Sequence, residues 1–340
     1  MKTSGNVLSL LGIAILTLAI SILLILMVGS HVNQAFFSFL SGIFGSFYSV
    51  SEVLVKATPL ILTGLGVAVG ARSGFINIGA EGQLYMGAIA VTGIAFWFND
   101  LPAILMIPLV ILGGFVLGGV WSVIPGFLKA RFGISEVITT LMFNYIAISI
   151  VGILVRTVLK DPASSLPMSA FLPDSATLPV LMSATRLHAG LLAALISVAL
   201  IWILVWKTPA GYEMRAVGLN PRACKCSGIS VYKNIVRSSL ISGGLAGIAG
   251  VCEVSGLHHK LLEGISPGYG YIAIIVALLG KNHPLGVVIS ALGIAALQVG
   301  SLGMQRMAGV PTSISSIIMG VVVLLILARK SLFRRLLTDE

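Results

Sequence analysis

Charge is what this chain has least of. Of its 340 residues only 9% are Asp, Glu, Lys or Arg, 57% are hydrophobic, and the mean hydropathy is +1.06. So few charges cannot clothe a soluble domain of this size, which excludes a water-exposed globular fold. Cysteine is scarce too. Cys224, Cys226 and Cys252 are too few and too oddly placed for a disulfide framework, and "CKC" lacks the neighbouring His or third Cys of a metal site. The alternation of polar and apolar residues over about ten positions that writes a barrel strand is missing as well, so helices are the element that crosses the membrane. Nor is there a GxxxxGK[ST] signature, so this chain brings no phosphate-cradling loop of its own.

What is present is a succession of apolar runs rich in glycine, 39 of them in all. The reading is an all-α integral membrane protein, a polytopic bundle of about ten transmembrane helices with room for broken or re-entrant ones. Spans are expected at 7–28, 50–70, 82–98, 101–123, 134–158, 189–206, 235–254, 270–280, 284–303 and 312–328. The first follows a single Lys2 and is too long for a secretory signal core, so it reads as a membrane helix. The run at 270–280 is short enough to be a half-helix, and "KNHPLG" after it reads as a tight turn with a helix-ending proline. Residues 1–340 read as a single transmembrane domain, with two loops longer than connection requires.

Orientation follows from the basic residues. With the N-terminus inside, Lys129, Arg131, Lys207, Arg215, Arg222, Lys225, Lys233, Lys281 and the C-terminal Arg334 and Arg335 all face the cytoplasm, so both termini are expected there. Topology and anionic lipid account for the net charge of +10, and no aromatic-basic interleaving points to nucleic acid. The outer loop, 160–188, is rich in Pro, Ser and Thr and reads equally as a docking surface or a connector. The inner loop, 207–234, carries helix-compatible pieces on either side of Pro221, so a short helix lying across the cytoplasmic face is expected.

Against this apolar background "ARSGFINIGAEGQLYMGAIA" (71–90) stands out. Polar groups at membrane depth are costly and persist where they face protein or a watery path, which makes Asn77, Glu81 and Gln83 candidates for lining one. An uncharged amide offers donor and acceptor together, matching a nucleobase edge or a ribose diol. Gly74, Gly79, Gly82 and Gly87 permit a broken helix beside such a path. The same residues also read as a turn, with Asn77 capping the next helix, Glu81 near its positive end and Arg72 as an anchor.

"GFINIGAEGQ", taken together with "MRAVGLNPRACKCSGISV" in the inner loop, resembles permease subunits of bacterial ATP-binding-cassette importers. The similarity is to the branch serving branched-chain amino acids, simple sugars and nucleosides. Sugar permeases of that branch carry an acidic "IDLS"-like element where this chain reads Ile76-Asn77-Ile78-Gly79, which points to the nucleoside-type members and keeps simple sugars as the alternative. The resemblance implies a transport subunit of the bacterial cytoplasmic (inner) membrane rather than an enzyme. ATP hydrolysis, and ATP as cofactor, would belong to a separate ABC ATPase. Further implied partners are a second permease subunit and an extracytoplasmic solute-binding protein or lipoprotein, with solute moved inward by alternating access. It also implies a coupling helix within Glu213–Val231 that docks on the ATPase, with Glu213 and Arg215 on it and Gly218, Asn220, Pro221 and Gly228 holding its turns.

Other polar residues carry two readings each. Asn144 and Tyr145, inside the fifth expected span, suit a solute path or interhelical hydrogen bonds equally. Glu52, Glu136 and Glu253 sit near span ends, where solvated or capping carboxylates are the rule, and His258 and His259 read as surface histidines. "GLGVAVG" (64–70) lacks the strand and acidic residue of a dinucleotide fingerprint and reads as close helix packing. A proton- or sodium-coupled secondary transporter, with Glu52, Glu81 or Glu253 carrying the ion, and a non-transporting assembly subunit are the readings from other classes.

Overall fold

The computed structural model describes residues 16–27, 29, 31–311, 313–314, 316–318, 320–321 and 324–325. Among these it is helical throughout, joined by turns and one long irregular loop, and the chain divides into two compact units. Among the described residues six helices are long and apolar enough to cross a membrane, or seven if a bent pair near the N-terminus counts as one span, against the ten that hydropathy suggests for the whole chain. Three reasons account for the difference. Helix α4 is shortened as a span by Glu81 and Gln83, which it buries inside protein; α11 has 11 residues, about 16 Å of helix; and much of 312–328 lies outside the described residues.

The first unit comprises Met1–Val53 and Leu292–Glu340. Here α1 (Leu16–Met27) and α2 (Val32–Phe44) meet at 114°, and residues 7–15 and 28 of the expected span 7–28 lie outside the described residues. Helix α2 has no counterpart among the expected spans: at 13 residues it is too short to register in a hydropathy window, yet Phe36, Phe37 and Phe44 point outward from it. Ile25, Ala35, Met304 and Val310 form the core of this unit.

The second unit, Leu54–Ala291, contains most of α3 (Phe47–Arg72) and all of α4 (Ala80–Trp97), α5 (Ala103–Phe132), α6 (Glu136–Leu154) and α7 (Gly190–Lys207). It continues through α8 (Pro209–Leu219), α9 (Pro221–Cys226), α10 (Val231–Val251) and α11 (Tyr269–Leu279) into the first turns of α12 (Pro284–Ala308). Proline at 284 opens α12 instead of ending a helix, a position where its missing N–H costs nothing. Burial ranks the helices. The apolar windows of α3 and of Val231–His258 are 89% and 83% buried against 28% for α5 and α6, so α3 and α10 are the interior pair.

Close backbone contact brings α4 and α5 onto α10. A Cβ added to Gly87 would lie 2.0 Å from the Gly247 carbonyl oxygen, and one added to Gly247 would lie 2.0 Å from that of Gly114. Where lipid removes the hydrophobic drive for helices to associate, such small-residue seams let van der Waals contact do it. Along the outer side of α5, Leu112, Val116, Val120 and Ile124 stay exposed, as a lipid-facing surface requires.

The loop 160–188 contains a single 3₁₀ turn, Asp174–Ala176, and is laced by main-chain bonds to the segment that follows α10. Ser169 N–H donates to Leu261 O (2.9 Å), Leu172 N–H to His259 O (2.8 Å) and Leu178 N–H to Ser255 O (2.9 Å). That segment starts as a π-helix, Cys252–His258, continuing α10. Glu253 within it is buried, contrary to the solvated carboxylate expected at a span end, with His258 Nε2 3.7 Å from its Oε2. His258 and His259 are half-buried, not surface residues, because the loop folds over them.

Candidate functional site

The polar stretch at 71–90 is a break between two helices. Helix α3 ends at Arg72, α4 starts at Ala80, and the backbone between them turns sharply inside the protein: Phe75 N–H bonds back to Gly70 O (2.9 Å), with Gly74 at φ +76°. Asn77 and Gln83 are both buried here and form a reciprocal amide pair, Asn77 Nδ2 donating to Gln83 Oε1 (2.7 Å) and Gln83 Nε2 to Asn77 Oδ1 (3.0 Å). Asn77 also donates to Ser242 Oγ of α10 (2.8 Å) and accepts from Gly79 N–H (2.9 Å). Four bonds use its amide fully, so this side chain is satisfied by protein alone.

Neighbouring helices clasp the same break. Asn144 of α6 accepts from Gly82 N–H (2.8 Å) and donates to Ile78 O (2.9 Å). Glu136, in the first turn of α6, pairs with Lys129 of α5, and Lys129 Nζ also bonds Gly74 O. Ile76 N–H reaches Glu136 Oε1 at 3.4 Å. Glu81, in the first turn of α4, accepts from Gly270 N–H (2.7 Å) at the start of α11, so one carboxylate faces the positive ends of two interrupted helices. Sequence reasoning picked out Asn77, Glu81, Gln83 and Asn144, and the structure gathers these four; Tyr145, the fifth, is 59% exposed on another side of α6. Lys129, Glu136 and Ser242 were missed as parts of the site.

The inner-loop residues lie on two short helices. Thr208 caps α8, and Asn220 ends α8 and begins α9, its Oδ1 accepting from the N–H groups of Arg222 and Ala223 (both 3.1 Å) with Pro221 in the first turn. Gly228 takes φ +78°. Gly218 needs no unusual dihedral; it permits contact, since a Cβ there would lie 2.1 Å from Arg72 O and 3.2 Å from Gly74 N. Glu213 accepts from Asn234 Nδ2 of α10 (3.0 Å), and Arg215 reaches back to Gly211 O (3.4 Å). The last turn of α8 thus rests on the end of α3, one residue before the polar break.

His188, at the end of the outer loop, went unnoticed because nothing local in the sequence marks it. Its ring is buried, with Gly190 and Gly256 against it, and its Nδ1 accepts from Gly190 N–H (3.2 Å). Burial, with the neighbouring His259 second, lowers its pKa from 6.5 to about 4. Because the unfolded chain takes up the proton first, this histidine's contribution to stability is whole above pH 6.5 and lost as pH falls towards 4. The loss is on the order of 3 kcal/mol. Thermal unfolding in detergent at pH 7.5 and 4.5 should show a drop that His188→Gln reduces; an equal drop in the variant would refute the assignment.

A buried amide pair fastening the break between two helices, inside a chain with several helices long and apolar enough to cross a membrane, marks a polytopic membrane protein. Residues 49–327 match the family described as branched-chain amino acid transport system / permease component, and the chain belongs to that family. It is a multi-pass membrane permease, a transport component. It is 39% identical over 316 residues, 92% of this chain and 90% of the relative, to the guanosine ABC transporter permease protein NupP of Bacillus subtilis. It is 35% identical to the nucleoside ABC transporter permease protein NupB of Lactococcus lactis (83% of this chain, 80% of the relative). Identity is likewise 35% to the glucose ABC transporter permease protein TsgB13 of Haloferax volcanii (82% and 76%). No solved structure matches the chain.

Proposed function

We propose that this chain is the permease subunit of an ATP-driven nucleoside importer. The observation that carries the reading is the 39% identity to a guanosine permease over 92% of the chain. The solute would arrive from an external binding protein and leave to the cytoplasm by alternating access, with ATP hydrolysed on a separate ATPase chain and a second permease completing the pathway. Both termini and the 207–234 loop face the cytoplasm in this reading, as the basic residues require.

Asn77, Glu81, Gln83 and Asn144 shape the path by fixing the α3–α4 break, because their polar atoms are taken by protein. Tyr145, exposed on α6, is the member of the set placed to meet solute or the second permease. Helices α8 and α9 form the coupling element: α8 contacts the end of α3, so a push on α8 reaches the break directly. Glu81 is engaged by the α11 backbone, which speaks against it as the ion carrier of the secondary-transporter alternative and leaves Glu52 and Glu253 for that role.

Proteoliposomes holding the permease pair, its ATPase and its binding protein test this. ATP-dependent uptake of labelled guanosine, competed by other nucleosides and not by glucose, is the expected result. Glucose uptake with no nucleoside uptake would transfer the chain to the sugar-type reading, and nucleoside uptake driven by a proton or sodium gradient without ATP would reject the ATP-driven one.

A further inference from the structure

Beside the α8–α3 contact lies an open cleft of about 560 Å³. It is lined by Arg72 at the end of α3, Tyr212 and Arg215 of α8, and Lys281 and Asn282 of the turn between α11 and α12. Three cations thus converge from three separate elements, and among the described residues none of them pairs with a carboxylate. Arg72 and Arg215 repel one another.

The fold holds this arrangement in place instead of letting the side chains swing away. Arg72 donates its Nε–H to Asn282 O (2.8 Å), and its guanidinium lies 4.5 Å over the Trp206 ring, which in turn sits tilted against His283 (4.9 Å between ring centres). Arg215 is fixed through its own Nε to Gly211 O. In both, the Nε is used and the two terminal NH₂ groups remain for a ligand. Lys281 and Asn282 both sit at φ +53°, a costly backbone for side-chain-bearing residues, in the turn that brings Lys281 to the cleft. Asn282 Oδ1 is buried without a donor; rotated about its terminal bond, the amide would offer two N–H donors at the same place.

We infer that this cleft binds a phosphate group, carried either by an anionic lipid or by a free phosphate compound. The site is rich in donors and positive charge. A single carboxylate would answer one of three cations, whereas a phosphate presents several acceptor oxygens and a charge of about −1.5 to −2 as a monoester. The volume leaves room for more than the phosphate itself. With the 207–234 loop facing the cytoplasm as proposed above, both sources are at hand: inner-leaflet head groups and soluble phosphates. Bound there, the anion would join the end of α3, α8 and the α11–α12 turn.

The test uses the full-length chain in detergent, with phosphatidic acid and inorganic phosphate as probes. Native mass spectrometry should show phosphatidic acid retained on the wild type. Arg215→Gln/Lys281→Gln should weaken retention by about tenfold, as expected for losing charge-assisted bonds. Arg222→Gln/Lys225→Gln, which removes equal charge from α9 outside the cleft, should leave retention unchanged. If the source is a free phosphate, millimolar inorganic phosphate should raise the thermal midpoint of the wild type and not of the cleft variant. If the source is a lipid, the lipid alone should do so. Should the double variant not fold, Lys281→Gln alone carries the comparison. Equal binding by cleft and control variants, or no binding of either probe by the wild type, would overturn the inference; association with an ATPase sensitive to these residues, with no phosphate binding, would assign the cleft to protein docking instead.

Discussion

Asn77→Leu should cost the fold about 4 kcal/mol or more, because it strands several buried polar groups at about 1–3 kcal/mol each. Leucine matches asparagine in shape and fits the space. What it cannot do is bond both ends of the Gln83 amide or the Gly79 N–H, and Gln83 has no water to turn to at 1% exposure. The expected readout is a steep fall in folded, membrane-inserted protein, with uptake falling in the same proportion. The double variant Asn77→Leu/Gln83→Leu removes both amides together and should recover part of the folded yield. If the pair is a fastening, uptake recovers with it; a folded double variant that transports nothing would place the amides in contact with solute. A single variant that inserts and transports like the wild type would refute both roles.

Gly218→Ala should cut coupled uptake at least tenfold while leaving most of the chain inserted. The added methyl would stand 2.1 Å from Arg72 O and 2.8 Å from Arg72 C, both backbone atoms that cannot rotate aside, so α8 must lift away from α3. Overpacking of this kind costs about 1–3 kcal/mol, here concentrated on one contact. Uptake should fall at least tenfold, a loss equivalent to about 1.4 kcal/mol, with ATP hydrolysis no longer stimulated by loaded binding protein. Gly228→Ala is the comparison. Gly228 has open space around it and φ +78°, so alanine there meets only backbone strain, about 1–2 kcal/mol, in a turn that can adjust. Equal effects of the two substitutions would show that α8 does not transmit motion through the Arg72 contact.

Some of this was open to a reader of the sequence and some was closed, for physical reasons. Membrane class and most helices follow from hydropathy, which is a local sum. The α3–α4 break was visible because Asn77, Glu81 and Gln83 interrupt an apolar run within a few residues. Their partners were not visible. Ser242 lies 165 residues from Asn77 and Gly270 lies 189 from Glu81, and a backbone N–H leaves no mark in the sequence. Lys129 read as a topology signal and Glu136 as a solvated end, though they pair over the break. Among the described residues six or seven helices pass as spans instead of ten, because Glu81 and Gln83 dilute the apolar character of α4, α11 is short, and parts of 7–28 and 312–328 are not described.

The distance between Asn77 and Ser242 also sets an order of events during synthesis. Asn77 and Gln83 are six residues apart and can pair as soon as both have emerged, whereas the serine that completes the knot is made 165 residues later. At about 5–20 residues per second, that interval is roughly ten to thirty seconds. Throughout it the nascent chain carries one unanswered amide hydrogen, and Ser73 waits equally long for Ser238. The first half of the protein therefore cannot reach its final arrangement ahead of the second, and ribosomal pausing between α4 and α10 would lengthen the time that the insertion machinery must shield it.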